Sequence, residues 1–351
     1  MIDFLNKAKH QFSENLPFVI YKKPNEDKVI GYFQKNNLLF ETADFSEKGF
    51  VFSSFDGSKN SLIPESESDR VVADFEIETV ENPVNSDYLV GDTSSKNNFE
   101  NLVKLGIDSI VAGAFKKVVL SREEIIILPE FDAVETFRKV IQNYPSAFCY
   151  CWFHPKVGLW IGASPEQLLK IDSQKMSTVS LAGTQKADGN DNVEWGDKEK
   201  TEQQIVTNSI IQDVENELTE YKISNPYSYK AGNLVHLKTD IEGVLKPNFK
   251  LNLILEKLHP TPAVCGFPKK SARDFILKNE GYNRRFYSGF FGEINLDNYS
   301  KTVLHVNLRC MQIENKTAHL YIGCGITQDS VPEMEWIETV NKAVTMKKII
   351  L

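Results

Sequence analysis

Two Glu-x-x-Glu pairs have the spacing that most directly suggests chemistry in this sequence. Glu199 and Glu202 lie in the segment DKEKTEQQIVT, and Glu335 and Glu338 lie in EMEWIETVNKA. Both segments have a helical pattern, and residues three apart share one face of a helix, so each pair directs two carboxylates the same way. Carboxylates without histidine or cysteine suit Mg²⁺, which completes its shell with water and substrate oxygens. Spacing alone nevertheless favours the simpler interpretation, two amphipathic helices whose acidic faces meet water.

A lysine and a glutamate are candidates for acid–base chemistry. Lys117 begins the strand-like segment KVVLSR, where alternation places it on one face with Val119. Such a lysine is usually a snorkelling edge residue, but a buried amine has a lowered pKa and can act as a base. Glu166 follows small residues and a proline in IGASPEQLLKI, a pattern typical of a surface turn. Enclosure by apolar groups would instead raise its pKa and keep it protonated as a general acid.

An arginine and two glycine-containing strand ends could bind an anion. Arg309 lies in VNLRCMQI, which predicts an arginine in the middle of an apolar strand. Its guanidinium fits a carboxylate bidentately, and a structural buried salt bridge is an equal alternative. The segments SLAGTQ and IGCGITQ each end a strand in small residues, so backbone N–H groups could approach an anion. Neither glycine pattern is specific.

Composition and charge limit the class of protein. The 351 residues, 41% hydrophobic and 25% charged, suffice for one large domain or two of ordinary size. A net charge of −8 argues against a nucleic-acid partner, which would favour a basic face. No run approaches the ~18–20 apolar residues of a membrane-spanning helix, so no membrane partner is expected.

The N-terminus and the cysteines suggest a compartment. The first residues lack the apolar run and cleavage site of a secretory signal, and Asp3 and Glu14 argue against a mitochondrial presequence. An odd number of cysteines in apolar runs, without a Cys-x-x-Cys pair, predicts reduced core residues. These are Cys149, Cys151, Cys265, Cys310 and Cys324. We therefore expect a cytoplasmic protein.

The order of the predicted elements indicates the fold class. Asn85 to Asn98, rich in Ser, Asn and Asp, is the best linker candidate, and a helix is predicted to follow it. A second helix is predicted from Asp197 to Leu218. A third begins at Pro332, with Ser330 and Glu333 as a capping box. Strands outnumber helices and follow one another through short turns, which favours an α+β protein with large antiparallel or mixed sheets covered by helices.

A series of short motifs runs in order from about Phe99 to the C-terminus. They are KVVLSR, GASPEQL, SLAGT, KEKTEQ, HLKTDIEGVL, LHPTPAVCGFPK, RRFYSGFFG, LRCMQI and YIGCGITQDSVPEMEWIETVNKA. Together they resemble the motifs of the chorismate-utilising enzymes. The resemblance implies a chorismate-binding fold like that of anthranilate synthase component I, formed by a single domain over residues 1–351. Residues 1–95 would be its divergent part and residues 96–351 its motif-bearing part.

Three positions separate branches of this family. Isochorismate and salicylate synthases have a lysine at the position of Lys117, which activates water. Aminodeoxychorismate synthases have a nucleophilic lysine where this chain has Ala182. Ala263 stands where the salicylate and anthranilate branches tend to have threonine. The resemblance therefore implies an isochorismate synthase that serves menaquinone or siderophore biosynthesis, with a salicylate synthase or an anthranilate synthase component I-like enzyme as the alternative. It further implies a monomer with no obligatory glutaminase subunit.

The resemblance also assigns roles to particular residues. Glu202 and Glu338 would bind Mg²⁺, with Glu199 and Glu335 orienting its waters. Lys117 would be the general base, and Glu166 the general acid. The residues expected to line the chorismate site are Gly183, Thr184, Ala263, Tyr287, Arg309, Gly323 and Lys342.

Three further positions are left open by the resemblance. His236 and His259 lie in matching motifs, and each could equally touch the site or pack in the core. Gln203 follows Glu202 where the family commonly has histidine. Its effect on metal binding or rate cannot be deduced from the motif.

Overall fold

The computed structural model describes residues 1–76, 93–186, 193–231 and 234–351. Helices in this part of the chain are α1 (Ile2–Ser13), α2 (Thr93–Val111), α3 (Ala133–Asn143), α4 (Asp197–Val214), α5 (Leu251–Leu258), α6 (Lys269–Asn279), α7 (Leu296–Tyr299) and α8 (Pro332–Ile350). None of the described helices has the length and hydropathy required to cross a lipid bilayer.

The strands form two large sheets. Their bounds are β1 (Phe18–Lys22), β2 (Lys28–Gln34), β3 (Phe40–Glu41), β4 (Gly49–Ser53), β5 (Asn60–Pro64), β6 (Ser68–Asp74), β7 (Lys117–Ile127), β8 (Phe148–His154), β9 (Gly158–Ser164), β10 (Gln167–Asp172), β11 (Lys175–Lys186), β12 (Leu218–Ile223), β13 (Tyr227–Ala231), β14 (Leu234–Leu245), β15 (Gly266–Phe267), β16 (Phe290–Asn295), β17 (Lys301–Val306), β18 (Cys310–Glu314) and β19 (Thr317–Ile326). The first sheet has the order β15-β7-β19-β18-β9-β8-β1-β2-β6. The second has the order β12-β14-β11-β10-β17-β16-β4-β5-β3, with β13 added beside β14.

The two sheets face each other across an aromatic layer. Strands of both sheets contribute large buried rings to it, and Phe52 of the second sheet stacks on Trp152 of the first with ring centroids 5.2 Å apart. Helices cover the outer faces, with α1, α3 and the C-terminal half of α8 on the first sheet and α4 and α5 on the second. The predicted α+β class, with large antiparallel sheets covered by helices, is confirmed.

The N-terminal strands belong to the same two sheets as the rest of the chain. Strands β1, β2 and β6 form one edge region of the first sheet, and β3, β4 and β5 form one edge region of the second. The division into a divergent part and a motif-bearing part of one domain stays a prediction. All five cysteines lie in the described residues, and each is buried with a free thiol, as predicted.

Two predicted element boundaries are wrong. Residues Thr93 to Asn98 already belong to α2, because Ser, Thr and Asn are as common in the first turn of a helix as in a linker. The rest of the predicted linker, up to residue 92, lies outside the described residues. Helix α4 ends at Val214, and Leu218 begins β12, although its side chain joins the same apolar cluster as the helix stripe.

The predicted capping box is also wrong. The N-cap residue of α8 is Val331, and no side chain caps this helix. Ser330 lies one residue earlier, and its hydroxyl accepts a hydrogen bond from the Thr327 N–H at 3.1 Å, which closes the preceding turn. Pro332 does occupy the first turn, where its missing N–H costs nothing.

The segment around Arg309, which was predicted as one apolar strand, joins two strands in different sheets. Strand β17 lies in the second sheet and β18 in the first, so the chain crosses between the sheets just before Cys310. Arg309 occupies this crossing with a φ of 49°, not the middle of a strand. A second crossing, from β9 to β10, carries Glu166.

Candidate active site

One cavity of about 180 Å³ collects nearly all of the predicted site residues. It lies between the start of β7, the end of β19, the first turns of α4 and α8, and the two crossings between the sheets. The predicted residues that line it are Lys117, Glu166, Gly183, Glu199, Glu202, Ala263, Tyr287, Arg309, Gly323, Glu335, Glu338 and Lys342. Thr184 and Ala182 belong to β11, but their side chains lie outside the described part of the structure.

Lys117 is a buried lysine whose amine faces a carboxylate. Its residue exposure is 2%, and its Nζ lies 2.6 Å from Oε1 of Glu202. Lys117 and Val119 both line the cavity, while Val118 and Leu120 pack under the helices, as strand alternation predicts. The amine is therefore held in the cavity and does not reach bulk water.

Gly325 provides the space that the Lys117–Glu202 ion pair occupies. This glycine was not among the residues predicted from the sequence. A Cβ atom at Gly325 would lie 3.1 Å from Cε of Lys117 and 3.2 Å from Oε1 of Glu202. The residue stands two positions after Gly323 in IGCGI and therefore on the same face of β19. Strand alternation from Gly323 could therefore have identified Gly325 as a cavity residue.

Glu166 is held in place by hydrogen bonds between the two sheet crossings. Its carbonyl accepts from the Val306 N–H at 3.0 Å, and its own N–H donates to Oγ of Ser164 at 3.3 Å. The Ser164 hydroxyl in turn donates to the Val306 carbonyl at 2.5 Å. Because Glu166 is only 5% exposed, burial raises the pKa of its carboxyl to about 7, against the opposing charges of Lys117 and Lys342. A protonated carboxyl is thus available near neutral pH.

This raised pKa predicts a specific pH dependence of stability. The folded protein binds the Glu166 proton more tightly than the unfolded chain, so the free energy of unfolding should fall as pH rises from about 4.5 to about 7. The loss should approach about 3 kcal/mol. Glu166→Gln lacks this contribution, so its stability relative to wild type should rise across that interval. Urea denaturation of both proteins at pH 5, 6, 7 and 8 measures the difference, and a constant difference would contradict the raised pKa.

Arg309 directs its guanidinium into the cavity from the other crossing. Its backbone carbonyl accepts from the Ala163 N–H at 3.0 Å, and its Nη1 donates to the Lys342 carbonyl at 3.3 Å. Burial lowers its pKa, although a guanidinium stays charged at neutral pH. In the described part of the chain it forms no ion pair, and its role as a carboxylate binder stays a prediction. The fork remains open to a ligand carboxylate.

Tyr287 and Gly323 form the adjacent wall. Burial raises the pKa of the Tyr287 phenol, which keeps it a neutral hydrogen-bond donor. A Cβ atom at Gly323 would lie 2.8 Å from the Tyr287 hydroxyl, so a larger residue there would displace the ring or the strand. The Gly323 carbonyl accepts from Nζ of Lys342 at 3.0 Å.

The four glutamates face the cavity from two helices. Glu199 and Glu202 lie in the first two turns of α4, and Glu335 and Glu338 lie in the first two turns of α8. Glu338 Oε1 is 2.6 Å from Nζ of Lys342. In the described residues, no three acidic, histidine or cysteine side chains are gathered closely enough to hold a metal ion unaided. The donor set still fits Mg²⁺, since that ion typically takes one or two protein carboxylates and keeps waters and substrate oxygens.

The two histidines left open by sequence differ in position. His236 lines the cavity, and its Nδ1 lies 3.0 Å from the Gly183 carbonyl. Burial is the largest cause that lowers its pKa to about 3, so the ring is neutral. His259 lies outside the cavity lining, with its Nε2 3.1 Å from the Phe55 carbonyl.

Comparison with known proteins identifies the family. A sequence model described as chorismate binding enzyme matches residues 58–351. The chain belongs to the chorismate-binding enzymes. The match begins before Phe99, so the family likeness includes part of the N-terminal region in which few motifs were found. The resemblance deduced from the ordered motifs is confirmed.

Individual chorismate-binding enzymes show how far the likeness extends. The isochorismate synthase of Bacillus subtilis (strain 168) is 30% identical over 70% of this chain, and that of Escherichia coli (strain K12) is 27% identical over 72%. The aligned part of the chain spans only 53% and 66% of those two relatives. The solved menaquinone-specific isochorismate synthase of Escherichia coli has a TM-score of 0.79 and 21% identity, covering 95% of this chain and 89% of that one. That likeness shows the shared fold.

Proposed function

We propose that this protein is an isochorismate synthase, which converts chorismate to isochorismate with the help of Mg²⁺. The observation that carries the proposal is the presence, in one cavity, of a buried lysine amine and a buried carboxyl whose pKa is about 7. Exchanging a hydroxyl between two ring carbons needs a base for the incoming water and an acid for the leaving group. Curated isochorismate synthases among the relatives support the same activity.

Lys117 and Glu166 would share the proton transfers. Lys117 takes a proton from the water whose oxygen bonds to C2, and the two ring double bonds each shift by one position. The C4–O bond breaks as Glu166 gives its proton to the departing hydroxyl, which leaves as water. One water enters and one leaves. The enzyme is reset when Lys117 releases its extra proton to solvent and Glu166 takes one up.

Cationic and neutral donors would hold the two carboxylates of chorismate. Arg309 is proposed to bind the enolpyruvyl carboxylate, because its fork is open to the cavity and makes no ion pair with a described residue. The Tyr287 hydroxyl and the backbone at Gly323 lie beside it. The remaining contacts are assigned to Gly183, Thr184, Ala263 and Lys342.

The four glutamates are proposed as the metal side of the site. Glu202 and Glu338 would hold Mg²⁺, and Glu199 and Glu335 would orient its waters. When bound, the ion would supply positive charge for the ring carboxylate of chorismate. We further propose a cytoplasmic monomer that needs no glutaminase subunit, since its nucleophile is water, and that serves menaquinone or siderophore biosynthesis.

Product analysis tests this function. Chorismate and Mg²⁺ should give a mixture of chorismate and isochorismate, approached from either side, because hydroxyl transfer from C4 to C2 is nearly isoenergetic. Ammonium should not change the mixture, and salicylate should be minor near neutral pH. Chromatography of incubations with and without ammonium measures this. Anthranilate would contradict the assigned role of Lys117, and stoichiometric salicylate with pyruvate would favour a salicylate synthase.

A further inference from the structure

Gln203 is a buried amide next to one of the proposed metal ligands. It is 1% exposed and follows Glu202 on α4. Its Nε2 donates to the Ser180 carbonyl on β11 at 3.1 Å and to Oγ1 of Thr239 on β14 at 2.8 Å. Gln203 therefore joins α4 to two neighbouring strands of the second sheet and does not face the cavity.

Apart from the ion pair of Glu202 with Lys117, the described residues at the beginning of α4 offer little core packing. Its N-cap residue is Gly196, and no side chain caps the helix. The buried apolar stripe of the helix starts only at Val206 and continues through Ile210 and Val214. Among the described side chains of α4, Gln203 is thus the first deeply buried one, and it adds bonds to the second sheet where Glu202 has an ion pair with Lys117 of the first.

The amide is not explained by stability alone. Its Oε1 is buried without a hydrogen-bond partner among the described residues, and the same holds for the Ser180 hydroxyl beside it. A buried unsatisfied acceptor costs free energy, and an apolar residue of similar size would avoid that cost. What the apolar residue could not provide is the pair of directional bonds to β11 and β14.

We propose that Gln203 is a positioning residue that fixes the first two turns of α4, so that Glu199 and Glu202 face the cavity. The hydrogen bond to the Ser180 carbonyl also ties α4 to β11, three residues before Gly183. It therefore links the helix that carries the two glutamates to the strand that carries Gly183, a predicted substrate-binding residue. The inference rests on the proposed metal role of these glutamates. Its physical part, the anchoring of the helix start, is measurable without any metal.

Hydrogen exchange with and without Mg²⁺ tests this anchor. Gln203→Met keeps the length of the side chain and removes both bonds to the sheet, together with a longer one of 3.4 Å to Oγ1 of Thr207 on the same helix. Amide exchange in residues 197–206 should become roughly two- to tenfold faster, as expected for one or two lost hydrogen bonds, while residues 207–214 should change little. The melting temperature should stay within about 3 °C of wild type. Gln204→Met is the matched control, because Gln204 is exposed and its amide donates to Asn208 on its own helix, not to the sheet residues that the structure describes.

Metal dependence then tests the functional part. The Mg²⁺ concentration for half-maximal turnover should rise at least about threefold in Gln203→Met and stay unchanged in Gln204→Met, with Mn²⁺ binding by electron paramagnetic resonance as the direct readout. Gln203→His, which restores a ring N–H donor, should recover most of the affinity. Unchanged exchange in residues 197–206 would overturn the anchor, and faster exchange with unchanged metal dependence would overturn its role. A wild-type enzyme that needs no Mg²⁺ would contradict the proposed function instead, while the exchange result would still decide the anchor.

Discussion

Glu338→Gln is expected to abolish detectable turnover while leaving the fold intact. The change removes one proposed metal ligand charge from a partly exposed position at the cavity, not from the core. Lys342, which pairs with Glu338, keeps its hydrogen bond to the Gly323 carbonyl, so no buried amine is left without a partner. Chorismate consumption at saturating Mg²⁺, with a circular dichroism melt of the same sample, measures both parts of the expectation.

Glu333→Gln is the matched control for this variant. Glu333 lies in the first turn of α8, one turn before Glu338, but it is exposed, pairs with Lys96 and does not line the cavity. Its neutralisation should leave turnover and metal dependence unchanged. Near-normal Mg²⁺-dependent activity in Glu338→Gln would show that the two acidic helices do not form the metal site.

Lys117→Ala should lower kcat by roughly 10²–10⁴, the usual contribution of a general base. The amine lies inside the cavity, 2.6 Å from Oε1 of Glu202, and the buried start of β7 holds it there. Binding of chorismate should weaken less than turnover, because Arg309 and Lys342 are not altered. Steady-state kinetics at saturating chorismate and Mg²⁺ separate the two effects.

Lys116→Ala is the corresponding control. Lys116 is the exposed neighbour of Lys117, and it lies outside the cavity lining. Its removal takes away the same charge from the same stretch of chain and should leave kcat unchanged. Wild-type kcat in Lys117→Ala would reject the lysine as the base, whereas equal losses in both variants would indicate a general electrostatic effect.

Two of the four carboxylates in the cavity are paired with lysines. Glu202 faces Lys117 and Glu338 faces Lys342, each at 2.6 Å, so each of the two proposed ligands has an amine donor beside it. A hydrogen bond from such a donor stabilises a carboxylate. Removing either lysine should therefore change the surroundings of its glutamate partner as well as those of the substrate.

Local periodicity was sufficient for the features of the site that depend on a single element. The spacing of Glu335 and Glu338 places both on one face of α8, and alternation places Lys117 and Val119 on one face of β7. Short turns between apolar runs predicted antiparallel sheets. These inferences succeed because helix and strand geometry fix side-chain direction over a few residues.

Only the tertiary structure decided what meets across elements. Apolar residues recur along the run from Lys301 to Ile313 on both sides of Arg309, because both the aromatic layer and the outer cores are apolar. The pattern therefore gives no sign that the chain changes sheets before Arg309. The chain also changes sheets after β9, which brings Glu166 into the cavity that Arg309 lines. Hydrogen bonds between residues more than a hundred positions apart hold these two segments together. In the sequence, Gln203 stands out only as the residue after Glu202, where the family commonly has histidine. Its hydrogen-bond partners on β11 and β14 are determined by tertiary packing. Sequence alone determined the chemical groups and their local direction. Which groups share one cavity was decided by the pairing of distant strands, since that pairing depends on the burial of whole sheets and not on any one segment.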